Sequence, residues 1–124
     1  MTQPLALVFY EKLLPGTQLV NRLQDLSYRV LTVASGVSLA ATAEKEKPML
    51  VLVDLVAKRV NVTQAIAELR QNPATAHLPV IAFADEKDAK AQSSAREAGA
   101  TMVVNEAALL THLQQFLEQA LQVD

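Results

Sequence analysis

Asp54 is the residue of this sequence best placed to do chemistry. It closes the run Pro48 to Leu55 (Pro-Met-Leu-Val-Leu-Val-Asp-Leu). A continuous run of mostly branched apolar residues, opened by proline, reads as a strand buried on both faces. Its carboxylate then emerges at the C-terminal end, the edge at which open parallel sheets place ligands. Other chemistries lack their residues. There is no cysteine, so thiolate catalysis, disulfides and Cys-ligated zinc are excluded. Leu14-Pro15-Gly16-Thr17 has one glycine and is no phosphate-cradling loop. No Ser-His-Asp set can be assembled. His77 and His112 have no acidic or Cys partners at ligand spacing and are weak signals for metal. An enzyme is therefore not expected.

The elements that must position Asp54 follow from the apolar pattern. Leu5 to Tyr10 is a first buried strand. Pro15 and Gly16 open a helix carrying Leu19, Val20, Leu23 and Leu26 and running to about Ser27. Arg29 to Ala34 is a second strand, and Val37 to Lys47 an Ala-rich helix. The strand bearing Asp54 comes third. Asn61 or Thr63 can cap the next helix, with Ala65, Ile66 and Leu69 on one face, and Asn72-Pro73 ends it. Leu78 to Ala84 is a fourth strand. A helix over Glu86 to Ala98 has a thin alanine face, and Gly99 suits its C-terminal cap. Thr101 to Val104 is a fifth strand. Leu109, Leu110, Leu113, Phe116, Leu117, Ala120 and Leu121 form one unbroken stripe on a last helix.

Strand and helix thus alternate five times, which predicts an α/β domain over residues 1–124: one doubly wound parallel sheet with helices on both faces. The length of 124 residues suffices for a single hydrophobic core. A net charge of −2 gives no reason to expect nucleic-acid binding. No apolar run approaches the ~20 residues of a membrane helix, and the N-terminus lacks a signal peptide's basic region. The expectation is a cytoplasmic protein without membrane contact.

At this level the chain resembles the receiver domain of bacterial two-component response regulators. Pro48 to Leu55 matches the family's third strand, Leu78-Pro79-Val80-Ile81-Ala82-Phe83 its fourth, and Ala98-Gly99-Ala100 the turn before its fifth. The resemblance spans essentially the whole sequence. It implies the flavodoxin-like receiver fold, with strand order 2-1-3-4-5, and makes Asp54 the candidate phosphoacceptor. It also implies a partner in a signalling pathway, a histidine kinase or a downstream effector. A homodimer through the last two helices and fifth strand would be a further expectation.

The pocket implied by the resemblance is altered. The acidic pair that holds magnesium after strand one falls on Tyr10 and Glu11, so one acid survives. The hydroxyl ending strand four falls on Ala84, and the small residue after it on Asp85. The Lys-Pro pair after strand five falls on Glu106 and Ala107, and the aromatic switch residue on Val103. Val56-Ala57-Lys58-Arg59 stands where a Pro-Gly turn is usual. Phosphoryl transfer to a carboxylate depends on cations and donors around a multiply charged group. Here Glu11, Asp85 and Glu106 surround Asp54 instead, with Lys12, Lys58 and Arg59 the nearest cations in sequence.

The expected function is therefore that of a degenerate receiver, or pseudo-receiver, acting as a protein-interaction module. It requires no cofactor beyond weak magnesium at Glu11 and Asp54. The alternatives are a receiver still phosphorylated at Asp54 with altered kinetics, and a weak divalent-cation-binding α/β domain. Simpler roles stand beside these. Asp54 could be only a loop aspartate, while Glu11, Asp85 and Glu106 suit the first turns of helices, where the dipole favours acids.

Overall fold

The computed structural model describes residues 5–10, 13–33, 39–55, 62–84 and 89–121. Five strands, β1 (Leu5–Phe9), β2 (Arg29–Val33), β3 (Leu50–Asp54), β4 (Val80–Ala84) and β5 (Met102–Asn105), form one sheet. Its order is β2-β1-β3-β4-β5, and every neighbouring pair is parallel. Six helices connect and follow the strands: α1 (Leu13–Asp25), α2 (Leu39–Glu46), α3 (Val62–Gln71), α4 (Ala89–Ala98), α5 (Glu106–Thr111) and α6 (Leu113–Leu121). This is the doubly wound flavodoxin-like sheet expected from the alternation of apolar runs.

The central strands explain why both faces need cover. All five residues of β3 and all five of β4 are buried. Alternate side chains leave the pleat on opposite sides. Leu7, Phe9, Val51, Val53, Val80 and Ala82 pack with Ala43 of α2, Ile66 and Leu69 of α3 and Ala95 of α4. Ala6, Val8, Leu50, Leu52, Ile81 and Phe83 pack with Leu19 and Leu23 of α1 and with Leu109, Leu113 and Leu117 of α5 and α6. Three helices thus cover one face, and α1 with the C-terminal pair covers the other.

Helix ends follow local chemistry. Pro15 sits in the first turn of α1, where its missing N–H costs nothing. Asn72-Pro73 follows α3 directly. Gly99 ends α4 at φ +115. There the Gly99 N–H donates to the Arg96 carbonyl (3.1 Å) and the Ala100 N–H to the Ala95 carbonyl (3.0 Å), the paired bonds of a Schellman cap.

The C-terminal stripe departs from expectation in one respect. It lies on two helices, not one, because the backbone at His112 turns to φ −119, ψ 34. The Thr111 hydroxyl donates back to the Ala107 carbonyl at 3.0 Å, a bond that bends helices. The hydrogen bonds still step through the break, from the His112 N–H to the Ala108 carbonyl (2.9 Å) and from the Phe116 N–H to the His112 carbonyl (3.1 Å). The apolar face therefore stays continuous, and Leu109, Leu113, Leu117 and Ala120 bury in one cluster.

Candidate functional site

Asp54 ends β3 and is only 2 % exposed. By alternation it lies on the face shared with Leu50 and Leu52, under α1 and α5. The register sets its neighbours along the C-terminal edge of the sheet. Phe9 pairs with Val53, so Tyr10 is the next residue of that chain, beside Asp54. Asp54 pairs with Phe83, and the Leu55 N–H donates to the Phe83 carbonyl at 2.9 Å. Ala84 follows Phe83 and pairs with Asn105. The edge thus carries Tyr10, Asp54, Ala84 and Asn105 across β1, β3, β4 and β5, and none of these is basic.

Each of these side chains has a local role. Tyr10 is half-buried and packs against the cluster formed with α1 and α5. Ala84 is fully buried and offers a methyl group, not a hydroxyl. Asn105 caps α5: its Oδ1 accepts from the Ala107 N–H (2.8 Å) and the Ala108 N–H (3.2 Å). The cap starts the helix at Glu106, directly after the strand. Glu106 and Ala107 are thus first-turn residues. Val103, half-buried in β5, packs against the cluster on the opposite face.

Glu11, Asp85, Lys12, Lys58 and Arg59 lie outside the described residues. Of the expected set, Tyr10 stands beside Asp54 on the same face, while Ala84, at the same edge of the sheet, packs in the opposite cluster with Val80 and Ala82. Among the described residues no group of three His, Cys, Asp or Glu side chains could hold a metal ion. The described donor set at this edge has one carboxylate, with its neighbouring phenol turned to apolar packing, and does not by itself fit a magnesium ion. His77 and His112 are both exposed and belong to separate elements.

Two residues escaped the sequence reading. Asn105 carried a usable signal, an Asn two residues before the apolar run Ala107 to Leu110. Arg70, in the last turn of α3, carried almost none. Its Nε donates to the Gly99 carbonyl (2.7 Å), Nη1 to the carbonyls of Ala76 (2.8 Å) and Leu78 (2.7 Å), and Nη2 to Thr101 Oγ1 (2.9 Å). Burial pulls its pKa below the ordinary arginine value. These acceptors precede β4 and β5, so Arg70 works at the edge of the sheet opposite to Asp54.

The order and direction of the strands and the carboxylate at the end of β3 define a receiver-type α/β domain. Solved structures bear out that fold. The chain is similar to a proposed response regulator from Chloroflexus aurantiacus, with TM-score 0.87, 21 % identity, and coverage of 97 % of this chain and 98 % of that one. It is similar to the receiver domain of a sensor histidine kinase from Pseudomonas aeruginosa, whose structure has a magnesium ion coordinated in the active site cleft (TM-score 0.86, 21 % identity, 97 % and 98 % covered). A chemotaxis response regulator of Vibrio cholerae superposes with TM-score 0.83 at 18 % identity, over 96 % and 99 % of the two chains. The chain has the fold of response-regulator receiver domains. No protein-family model and no curated protein matches the sequence.

Proposed function

We propose that this chain is a receiver domain of two-component signalling that has become a pseudo-receiver, serving as a protein-interaction module and not as an enzyme. The observation that carries this reading is the edge around Asp54. Ala84 offers no hydroxyl there, the Asn105 side chain is neutral with its Oδ1 taken up by the α5 cap, and the helix starts at Glu106, where a receiver has its lysine. A phosphoryl group on Asp54 would meet no positive charge from these positions, and adding charge without compensation is unfavourable. The fold supports partners of the kind receivers have, a histidine kinase or an effector, and a cytoplasmic setting. No described helix is long and apolar enough to cross a membrane.

On this reading magnesium binds through Asp54 with Glu11 only in the millimolar range or weaker. Following the Asp54 and Leu55 amides by NMR during a magnesium titration checks this, and saturation at micromolar magnesium would contradict it.

The interaction surface is the face of α4, β5 and the C-terminal helices, competent without phosphate. Coupling from Asp54 to that face would need contacts that differ between two states, and Ala84 and Val103 supply no polar group for such a relay. The test uses a partner captured from the native cell. Asp54→Asn should change its affinity by no more than ~0.5 kcal/mol, as for a substitution away from an interface. Charge reversal at Lys90, exposed on α4, should weaken binding; Lys87 lies outside the described residues. Loss of binding in a folded Asp54→Asn protein would make Asp54 a working switch and end this reading.

A further inference from the structure

The unit formed by α4 and β5 is only thinly anchored by apolar contacts. Among the described side chains of α4 only Ala95 is fully buried, while Ala98 is partly so. All four residues of β5, an edge strand, are half-buried. By contrast every residue of β3 and β4 is buried. Segments with few buried apolar contacts are the ones that open first. Hydrogen bonds, the β4 ladder among them, therefore carry more of the anchoring here than in the centre of the sheet.

Besides the Thr101 N–H to Val80 carbonyl bond (2.8 Å), one side chain supplies four hydrogen bonds at and beside its base. Arg70 of α3 reaches the turn between α4 and β5 at the Gly99 carbonyl and at Thr101 Oγ1, and the loop before β4 at the carbonyls of Ala76 and Leu78. Thr101 Oγ1 also accepts from the Val80 N–H at 3.0 Å, tying the start of β4 into the same cluster. The loop between α3 and β4 is itself braced. Buried Thr75 donates from Oγ1 to the Leu69 carbonyl (2.7 Å), and Asn72 Nδ2 to Glu44 Oε2 of α2 (2.9 Å). Arg70 therefore joins a braced body (α2, α3 and their loop) to a weakly buried one. Gly99 makes the approach possible, because a Cβ there would stand 2.7 Å from Arg70 Cγ.

We propose that Arg70 is a latch that holds α4 and β5 to the rest of the domain, so that the two elements open together as one unit, and do so when its hydrogen bonds break. A planar guanidinium has five donors in a fixed fork and here reaches four acceptors; the three donors on a lysine's single nitrogen cannot reach all four. The four acceptors are neutral oxygens, so the latch is set by geometry more than by ion pairing. Its position at the edge opposite to Asp54 makes it independent of the state of that carboxylate, and it does not rest on the signalling reading.

Native-state amide hydrogen exchange on the whole chain tests this. Arg70→Met keeps the apolar stem and removes every donor. The amides of Ala95 to Val104 should then exchange faster by about tenfold or more, the scale of hydrogen bonds from a charged group, while Leu7, Val8, Val51 and Leu52 keep their wild-type rates within about threefold. Arg70→Lys should leave Gly99, Ala100 and Thr101 as unprotected as the Met variant does. Thr101→Val, which removes one latch acceptor, should give the same regional pattern with a smaller increase and serves if Arg70→Met does not fold. Acceleration spread evenly over all five strands, or none in α4 and β5, would overturn the latch.

Discussion

Replacing Gly99 by alanine probes the closest contact of the latch. Two costs are expected. The backbone at Gly99 has φ +115, where an L side chain costs roughly 1–2 kcal/mol. The new Cβ would also stand 2.7 Å from Arg70 Cγ, so Arg70 must shift and its 2.7 Å bond to the Gly99 carbonyl is stretched or lost. A hydrogen bond from a charged group is worth about 1.5–3 kcal/mol. Against these, alanine narrows the unfolded ensemble by about 0.4–1 kcal/mol. The net destabilisation expected for Gly99→Ala is therefore about 2–4 kcal/mol, a large share of a domain's usual ~5–15 kcal/mol. In an Arg70→Ala background the collision and the bond are both absent, and the cost should fall to about 1 kcal/mol or less, what remains of the backbone term. Equilibrium urea unfolding followed by far-ultraviolet circular dichroism suits a chain with no Trp, and the four proteins of the cycle give the coupling directly. An equal cost of Gly99→Ala in both backgrounds would refute the claim that the missing Cβ serves Arg70.

Asn105→Ala removes the acceptor of two α5 amide protons and should cost ~0.5–2 kcal/mol, read from the urea midpoint; no change would mean the cap contributes nothing. Burial raises the Tyr28 hydroxyl above its ordinary 10.0. The folded state thus holds that proton more tightly than the unfolded one. The stabilisation is complete below the unfolded value and is lost as pH rises through the folded one. Unfolding midpoints from about pH 8 to about pH 11 should fall more steeply in the wild type than in Tyr28→Phe, and parallel curves would contradict this.

The parts of the fold legible in sequence were those fixed by local burial. Pro48 to Leu55 and Leu78 to Ala84 read as doubly covered strands because nearly every residue in them is apolar, and β3 and β4 are indeed buried throughout. Gly99 was legible as a cap because few other residues tolerate its backbone angle. The break at His112 was not, since the apolar stripe runs through it unchanged and the deviation comes from a Thr111 hydroxyl bond. The place of Asp54 at the end of a buried strand was legible in the same way as the strands themselves. Arg70 was hidden because two of its acceptors are 29 and 31 residues away in sequence, a distance over which no local pattern carries information.

The central claim is that the edge around Asp54 does not sustain phosphorylation. The most direct measurement is the intact mass of the protein after incubation with acetyl phosphate and magnesium, beside Asp54→Asn treated alike. The account predicts no phosphoryl adduct on either protein, because neither Ala84, Asn105 nor Glu106 supplies a positive charge at those positions and Ala84 supplies no hydroxyl. A mass gain in the wild type that is absent in Asp54→Asn would contradict it and make the chain a phosphorylated receiver.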